Sequence, residues 1–369
     1  MTWLQSRLAA LVALASRYPG LLAAAGFASG LASYLLVERS ATIAQAITLL
    51  LLLGWLLLLL EQGLRTSVLA RFGLGLPPVL VRLATQMLHQ ESLFFVLPFF
   101  LAVTHWGSGQ SVVTLLLVLA ALVSVIDPIY LGYLSRHRTL LMMFHSLTLF
   151  AALLVALPVI ARLSSEQGYL LALLLALFCS VPGWAAALAR LGRWRWLALP
   201  LLLALMATTL WQWRQYVPPV PMRLSDVKIS LDMDREQREP LQPLTRISAD
   251  RLLENGLYAW SAVQAPRGLR EVTYHEWRHR GELVDRIALE IRGGREAGYR
   301  AWSHKLHFPA DPTGPWQVRI ATGTGRLIGQ ASFTVTAPAR DATSQTNGTE
   351  ALASEIEKAF NAAGAISRQ

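Results

Sequence analysis

Cysteine is nearly absent: Cys179 is the single one in 369 residues. An intrachain disulfide and a cysteine-based zinc cluster are therefore excluded. A lone cysteine inside an apolar run reads as a small buried residue. Charge is scarce too. Asp, Glu, Lys and Arg make up 15% of the chain, against about 25% in an ordinary soluble domain. The shortage is local. Up to Trp213 there are 12 Lys or Arg and 5 Asp or Glu, and from Arg214 onward 21 and 18. The net charge of +10 divides into +7 before that point and +3 after it. Most of the basic excess thus lies among apolar residues, where it reports membrane orientation. A nucleic-acid binder would concentrate it in the polar part, so no nucleic-acid partner is expected.

Apolar residues are plentiful. Seven runs, near 19–37, 41–60, 92–106, 111–134, 139–161, 169–189 and 196–213, predict transmembrane helices. About 20 apolar residues of helix cross a hydrocarbon core, and lipid offers free backbone groups no partner. Prolines 98, 128, 158, 182 and 200 predict kinks. A second apolar run follows the first closely, so the first is expected to be retained rather than cleaved as a signal peptide. The linking segments alternate in charge. One set carries ten arginines, among them Arg136, Arg138, Arg190, Arg193 and Arg195; the other carries only Arg39 and Arg162. Arginine collects on the cytoplasmic side. This predicts a cytoplasmic N-terminus, with everything after Trp213 on the outer side. Trp194, Trp196, Trp211 and Trp213 bracket the last run as an interfacial aromatic belt would. Within residues 61–91, "GLGLPPVLVRLATQMLHQE" has helical spacing and predicts an interfacial or partly embedded helix.

Ionisable groups at depth are functional candidates. Asp127 lies in "SVIDPIY" and His145 in "MMFHSL", on runs joined by the short "SRHR" turn. Helical rise puts them roughly 13 Å and 10 Å from that turn, at similar depth. His89 and Glu91 begin the third run on the same side. His89, Glu91, Asp127 and His145 form a candidate intramembrane cluster, a proton relay or metal site on one reading and, on the other, a structural ion pair or an Asp capping a helix irregularity before Pro128. No catalytic constellation or cofactor motif is identified beyond it. The phenylalanines of "SLFFVLPFF" read as packing or lipid-facing residues.

After the proline-rich "RQYVPPVPMRLS" the apolar period changes from 3.6 to 2. Seven alternating segments predict an all-β sandwich of immunoglobulin-like size and pattern: 227–233, "LYAWSAVQ", "REVTYHEWRHR", "ELVDRIALEIR", "YRAWSHKLHF", "WQVRIAT" and "LIGQASFTVTA". "RHRGEL" and "TGTGRL" predict hairpins. His275, Trp277 and His279 share one strand face, and four residues of strand separate the histidines by roughly 13 Å. One zinc ion cannot hold both, so "YHEWRHRG" reads as a strand rather than a metal site. Trp277, Trp302 and Trp316 read as sandwich core. "GTGRLIG" has the wrong spacing for a dinucleotide loop. Ser303 and His304, adjacent on a strand, point to opposite faces.

The expected layout is a transmembrane helical domain at 1–213, a linker at 214–225, a periplasmic sandwich at 226–338, and a flexible tail with a short amphipathic helix at 339–369. "REP" at 238–240, "YHEWRHRG", "YRAWSHK" at 299–305 and "GPWQVRIATGTGRLIGQASFTV", in that order, resemble the C-terminal module of a family of uncharacterised bacterial membrane proteins. "HQESLFFVLPFF" and "VIDPIY" resemble the membrane region found with it. The resemblance implies an inner-membrane protein with a periplasmic sandwich, and it transfers no activity. The chain reads as a non-enzymatic envelope protein whose partners are the lipid bilayer and an envelope protein, glycan or lipid component. The rival reading is a membrane-embedded enzyme or transporter built on the four polar residues.

Overall fold

The structure, a computed structural model, describes residues 78–161, 163–220 and 222–338, together with 28–29, 32, 49 and 52–56. The expected helices at 19–37 and 41–60, apart from these few positions, and the tail helix after Pro338 lie outside the described residues.

The first long helix, α1 (Pro78–Val103), has 26 residues. It merges the expected interfacial helix and the third apolar run into one rod. Nothing between Pro78 and Pro98 breaks a helix, and Pro98 itself sits inside the rod. The helices α2 (Gln110–Val125) and α3 (Asp127–Tyr130) follow. They occupy the expected span 111–134, but a 94° bend divides the pair Gln110–Val125 and Asp127–Arg136. The chain is extended at Ile126 (φ −85°, ψ 93°), and Pro128 enters the first turn of the new helix. There its missing N–H leaves no hydrogen bond broken. Next come α4 (Arg138–Ala161), α5 (Ser165–Ala187) and α6 (Arg195–Gln212). Ser164 and Gln167 close a capping box at the start of α5. Gly192, at φ 57°, turns the chain between α5 and α6. Tyr169 Oη near the start of α5 donates to Leu210 O near the end of α6 at 2.6 Å, so the two helices run antiparallel.

The expected seven spans are not what the described residues contain. Three helical stretches are long and apolar enough to cross a membrane: Val81–Val103, Arg138–Pro158 and Ser165–Gln212, the last folding back at Gly192 as the antiparallel α5 and α6. There are four if the bent pair counts as one. The expected runs 169–189 and 196–213 fall together within the third stretch.

The remainder is an all-β unit with one short helix. The seven expected strands are present as β1 (Arg223–Ser230), β5 (Leu257–Gln264), β6 (Arg270–His279), β7 (Glu282–Arg292), β8 (Tyr299–Lys305), β9 (Gly314–Thr322) and β10 (Leu327–Thr336). Three-residue strands β2 (Asp232–Asp234), β3 (Glu239–Leu241) and β4 (Arg246–Ser248), with α7 (Ala249–Asn255), complete it. One sheet runs β1-β5-β8, a second β4-β10-β9-β6-β7, and β2 pairs with β3. The first two sheets share a core. Ile229 and Ala259 from one meet Trp277, Trp316, Val318 and Phe333 from the other. Both expected hairpins form. Arg280 and Gly281, at φ 50° and 88°, make the two-residue turn between β6 and β7, the backbone that matches strand twist.

The sheets sit against one end of the helical bundle. Gln110 Nε2 donates to Leu327 O at 2.8 Å. Ser165 N donates to Glu271 Oε2 at 2.8 Å. Arg326, 2% exposed, donates to Ser165 Oγ and lies 5.4 Å from the centre of the Tyr169 ring. Burial pushes the Arg326 guanidinium down to about 10. Burial also pushes the Glu271 carboxyl up, against the hydrogen bond from Ser165. At Gly109 a Cβ would stand 2.4 Å from the Tyr216 ring, so only glycine lets the entry to α2 pass the exit from α6.

His275 ties the two sheets internally. Its Nε2 meets Ser261 Oγ on β5 and its Nδ1 meets Ser303 Oγ on β8, both at 2.9 Å. A neutral imidazole has one donor and one acceptor, so this pair of hydroxyls satisfies it. Burial pushes its pKa from 6.5 down to about 3. Between these values the unfolded chain binds a proton that the folded chain refuses. Stability is therefore full above the upper value and declines towards the lower one, by up to about 1.4 kcal/mol per pH unit. Lowering pH from about 7 to about 5 should reduce the thermal midpoint of the β unit in detergent-solubilised full chain. His275→Gln keeps a donor and an acceptor but cannot titrate, and its midpoint should depend less on pH in this window. An unchanged slope would remove His275 as the cause.

Candidate functional site

The bundle-facing stripe of α1 is Gln86, His89, Leu93, Val96 and Phe100, each at most 6% exposed. The spacing alternates three and four, as one helix face requires. The last three residues are apolar and pack into the bundle core. The first two are polar, and the candidate site gathers around them.

His89 Nδ1 lies 2.7 Å from Tyr130 Oη, and its Nε2 lies 3.1 Å from His145 Nδ1. One polarity satisfies all three groups: the Tyr130 hydroxyl donates to His89, and His89 donates to His145. Aromatic rings close around them. Trp55 meets His145 edge-on at 4.7 Å between centroids, and Phe144 meets His89 at 5.2 Å. Trp55 Nε1 is anchored by donating to Ser92 Oγ at 3.0 Å.

Asp127 bonds Gln86, one turn before His89 on α1, and not a histidine. Gln86 Nε2 donates to Asp127 Oδ1 at 2.7 Å and to Ser124 O at 3.1 Å. In an uninterrupted helix residue 128 would donate to that carbonyl; Pro128 has no N–H to give. Gln86 thus supplies from α1 the hydrogen bond that α2 loses at its break. Glu91 is elsewhere. Two residues along a helix is about 200° around it, so Glu91 cannot share the face of His89. Its carboxyl takes a hydrogen bond from Ser29 instead.

Of the four expected residues, the structure brings His89 and His145 together, places Asp127 on Gln86 one turn away along α1, and leaves Glu91 apart. Tyr130 was not anticipated. Its signal was its place three residues after Asp127, on the same face of a short helix. Among the described residues no three His, Cys, Asp or Glu side chains form a group that could hold a metal ion. The chemistry this arrangement offers is a hydrogen-bonded chain, hydroxyl to imidazole to imidazole, along which a proton can pass.

In the β unit, Trp277 and Trp316 are core residues, 0% and 1% exposed. Trp302 lies on the other side of its sheet, paired with Trp260 and packed in a small cluster with Met233. The string HEWRH, residues 275–279, matches the letters of a zinc-protease motif, HExxH. That motif works on a helix, where residues four apart share a face and one ion. Here it lies on β6. His275 is occupied by Ser261 and Ser303. His279 stacks on Trp316, with its Nε2 2.8 Å from Thr313 O. His304 stacks on Tyr258, 3.9 Å between centroids, away from both.

Removing Gln86 should be costly, since it serves two acceptors. Gln86→Leu in detergent is expected to lose about 1–3 kcal/mol of bundle stability, and Tyr130→Phe about 0.5–1.5 kcal/mol. Glu91→Gln should stay within about 0.5 kcal/mol. Thermal unfolding that ranks Glu91→Gln as the most damaging of the three would contradict the geometry.

Residues 271–335 match the model described as a protein of unknown function, DUF2914. They span most of β6 through nearly all of β10. No curated protein and no solved structure matches the chain. A second family model matches residues 1–259, running past the helices through β1 to β4 and into β5. Covering well over half of the sequence, that match shows that the chain belongs to the family of unknown function DUF5924.

Proposed function

We propose that this chain is an integral protein of a bacterial inner membrane that holds an immunoglobulin-like sandwich on the periplasmic side, where the sandwich binds an envelope component. The observation that carries the reading is the distribution of groups over the two ends of the bundle. The sandwich rests on the end formed by the loop before α2, the start of α5 and the exit from α6. Arg82, Arg136, Arg138, Arg190, Arg193 and Arg195 belong to the opposite end. That is the asymmetry expected when arginine stays in the cytoplasm. The flank of α6 supports the same reading. Trp194 and Trp196 mark one end and Trp211 and Trp213 the other, with outward-facing Leu197, Leu201 and Leu205 between them. Arg195 lies 4.8 Å over the Trp196 ring and Arg214 4.6 Å over Trp211. Amphipathic rings at both borders and bare leucine between them suit a lipid layer.

A second reading rests on the Tyr130–His89–His145 chain: a proton relay within the bundle, serving transport or an embedded reaction. It has a separate test. If the relay operates, Tyr130→Phe and His145→Ala should each abolish pH-driven proton uptake into proteoliposomes while the protein stays folded. Uptake equal to that of empty liposomes for the unaltered protein would remove this reading.

For the principal reading, alkaline phosphatase fused after Gln215 should be active in a bacterial host, and a fusion after Arg138 inactive. The reverse pattern would overturn the orientation and the periplasmic sandwich with it.

A further inference from the structure

The outer face of the five-stranded sheet carries a trough of about 680 Å³, within the usual range for a ligand site. Its floor is made by β10 and β9. Phe333, Val335, Trp316 and Val318 of these strands point into the core, so Ser332, Thr334 and Gln317 between them point outward, as strand alternation requires. Arg246 on β4 forms one wall, and Arg278 and Arg280 at the end of β6 form the other. The walls are three strand spacings apart, roughly 14 Å. Three arginines line the trough, and no acidic side chain does.

The arginines are only partly engaged. Among the described residues Arg246 has no side-chain partner. Arg278 donates to Gly281 O at 3.1 Å and lies 3.5 Å from Glu276, yet its Nε is buried without a partner. Glu276 is shared, with Arg286 at 3.5 Å and Arg319 at 3.9 Å as well. Arg280 donates to Thr313 O at 3.0 Å and meets Asp311 at 3.3 Å on an exposed rim, both through Nη2. Guanidinium donors in excess and a floor of hydroxyls and an amide are the complement of oxyanions. No aromatic face lies open on the floor, which disfavours a neutral sugar as the occupant. The bundle contacts β9 and β10 at their hairpin, 322–327, and residues 102–105 reach Gln330. The trough opens towards the other end of these strands, where Pro315 is about seven residues from the hairpin, roughly 23 Å.

Resting on the reading of the sandwich as a recognition module, we infer that this trough binds a linear polyanion. Its phosphate or carboxylate groups would be clamped between Arg246 on one wall and Arg278 and Arg280 on the other. Ser332, Thr334 and Gln317 would hydrogen-bond the backbone of the bound chain. A polyanion long enough to bridge both walls engages them together, so a single isolated anion should bind far more weakly.

The test uses detergent-solubilised full chain and two fluorescent probes, a short inorganic polyphosphate and a short polyglutamate, with inorganic phosphate as the monovalent comparison. At least one polymer should bind, more weakly as salt rises, and the polymer retained tells phosphate from carboxylate. Arg246→Ala and Arg280→Ala should each weaken it about tenfold, the loss of one charge-assisted contact. Arg292→Ala, at the far end of β7, should leave affinity unchanged, and thermal unfolding should show all three variants folded. Equal weakening by Arg292→Ala would mean that net charge alone attracts the probe, and the trough would be rejected. Failure of both polymers with an active phosphatase fusion after Gln215 would reject the trough and leave the membrane reading intact. An inactive fusion with binding retained would do the opposite.

Discussion

A buried polar group without a partner is costly, and the helical half of this chain is arranged around that constraint. Pro128 breaks α2 and frees the Ser124 carbonyl. Gln86 on α1 meets it and also takes the carboxylate of Asp127. One turn on, His89 bridges Tyr130 and His145, so the same stretch of α1 is bonded to α2, α3 and α4. Ser146, Ser180 and Trp184 repeat the device between α4 and α5. These bonds fix which helix faces which neighbour, a choice that apolar contact alone leaves loose. The same constraint acts in the sandwich, where His275 lies between two serines of the facing sheet.

The seam between the two halves follows it as well. The start of α5 presents backbone N–H groups with no helical acceptor. Glu271 takes one of them, and the Arg326 side chain is drawn in beside it over Tyr169. Both contacts come from one end of the five-stranded sheet, so the sandwich is seated through the start of β6 and the hairpin before β10. The far part of that sheet's outer face, where the trough lies, is left uncovered.

The seven long strands were legible because alternation over seven or more residues leaves little choice of face. β2, β3, β4 and α7 were not, since three residues of strand show no period. The helical half divides differently. Pro98, Pro158, Pro182 and Pro200 lie inside continuous helices while Pro128 ends one. At Pro128 a partner 38 residues away in sequence compensates the break. Spacing brought Asp127 and His145 to similar depth but could not show that His89 and Gln86 would each take one of them. Glu91 shows the limit from the other side: proximity in sequence placed it with His89, and helix geometry set it on another face. HEWRH teaches the same lesson, because the letters carry chemistry only in the backbone that presents them. The arginine trough was hidden for a related reason. Its walls come from strands far apart in the chain, and only the sheet order makes them neighbours.

The bend at Ile126 has a mechanical consequence. α2 has 16 residues, about 24 Å of helix, while a hydrocarbon layer is about 30 Å thick. On the membrane reading proposed above, its lower end stops short of the far border, and the segment beyond the 94° bend runs sideways as a shelf. Lipids beside that shelf would have to shorten or splay to cover it. The protein would then carry its own dimple in the leaflet beneath the Tyr130 and histidine chain, shortening the way in for water at that place.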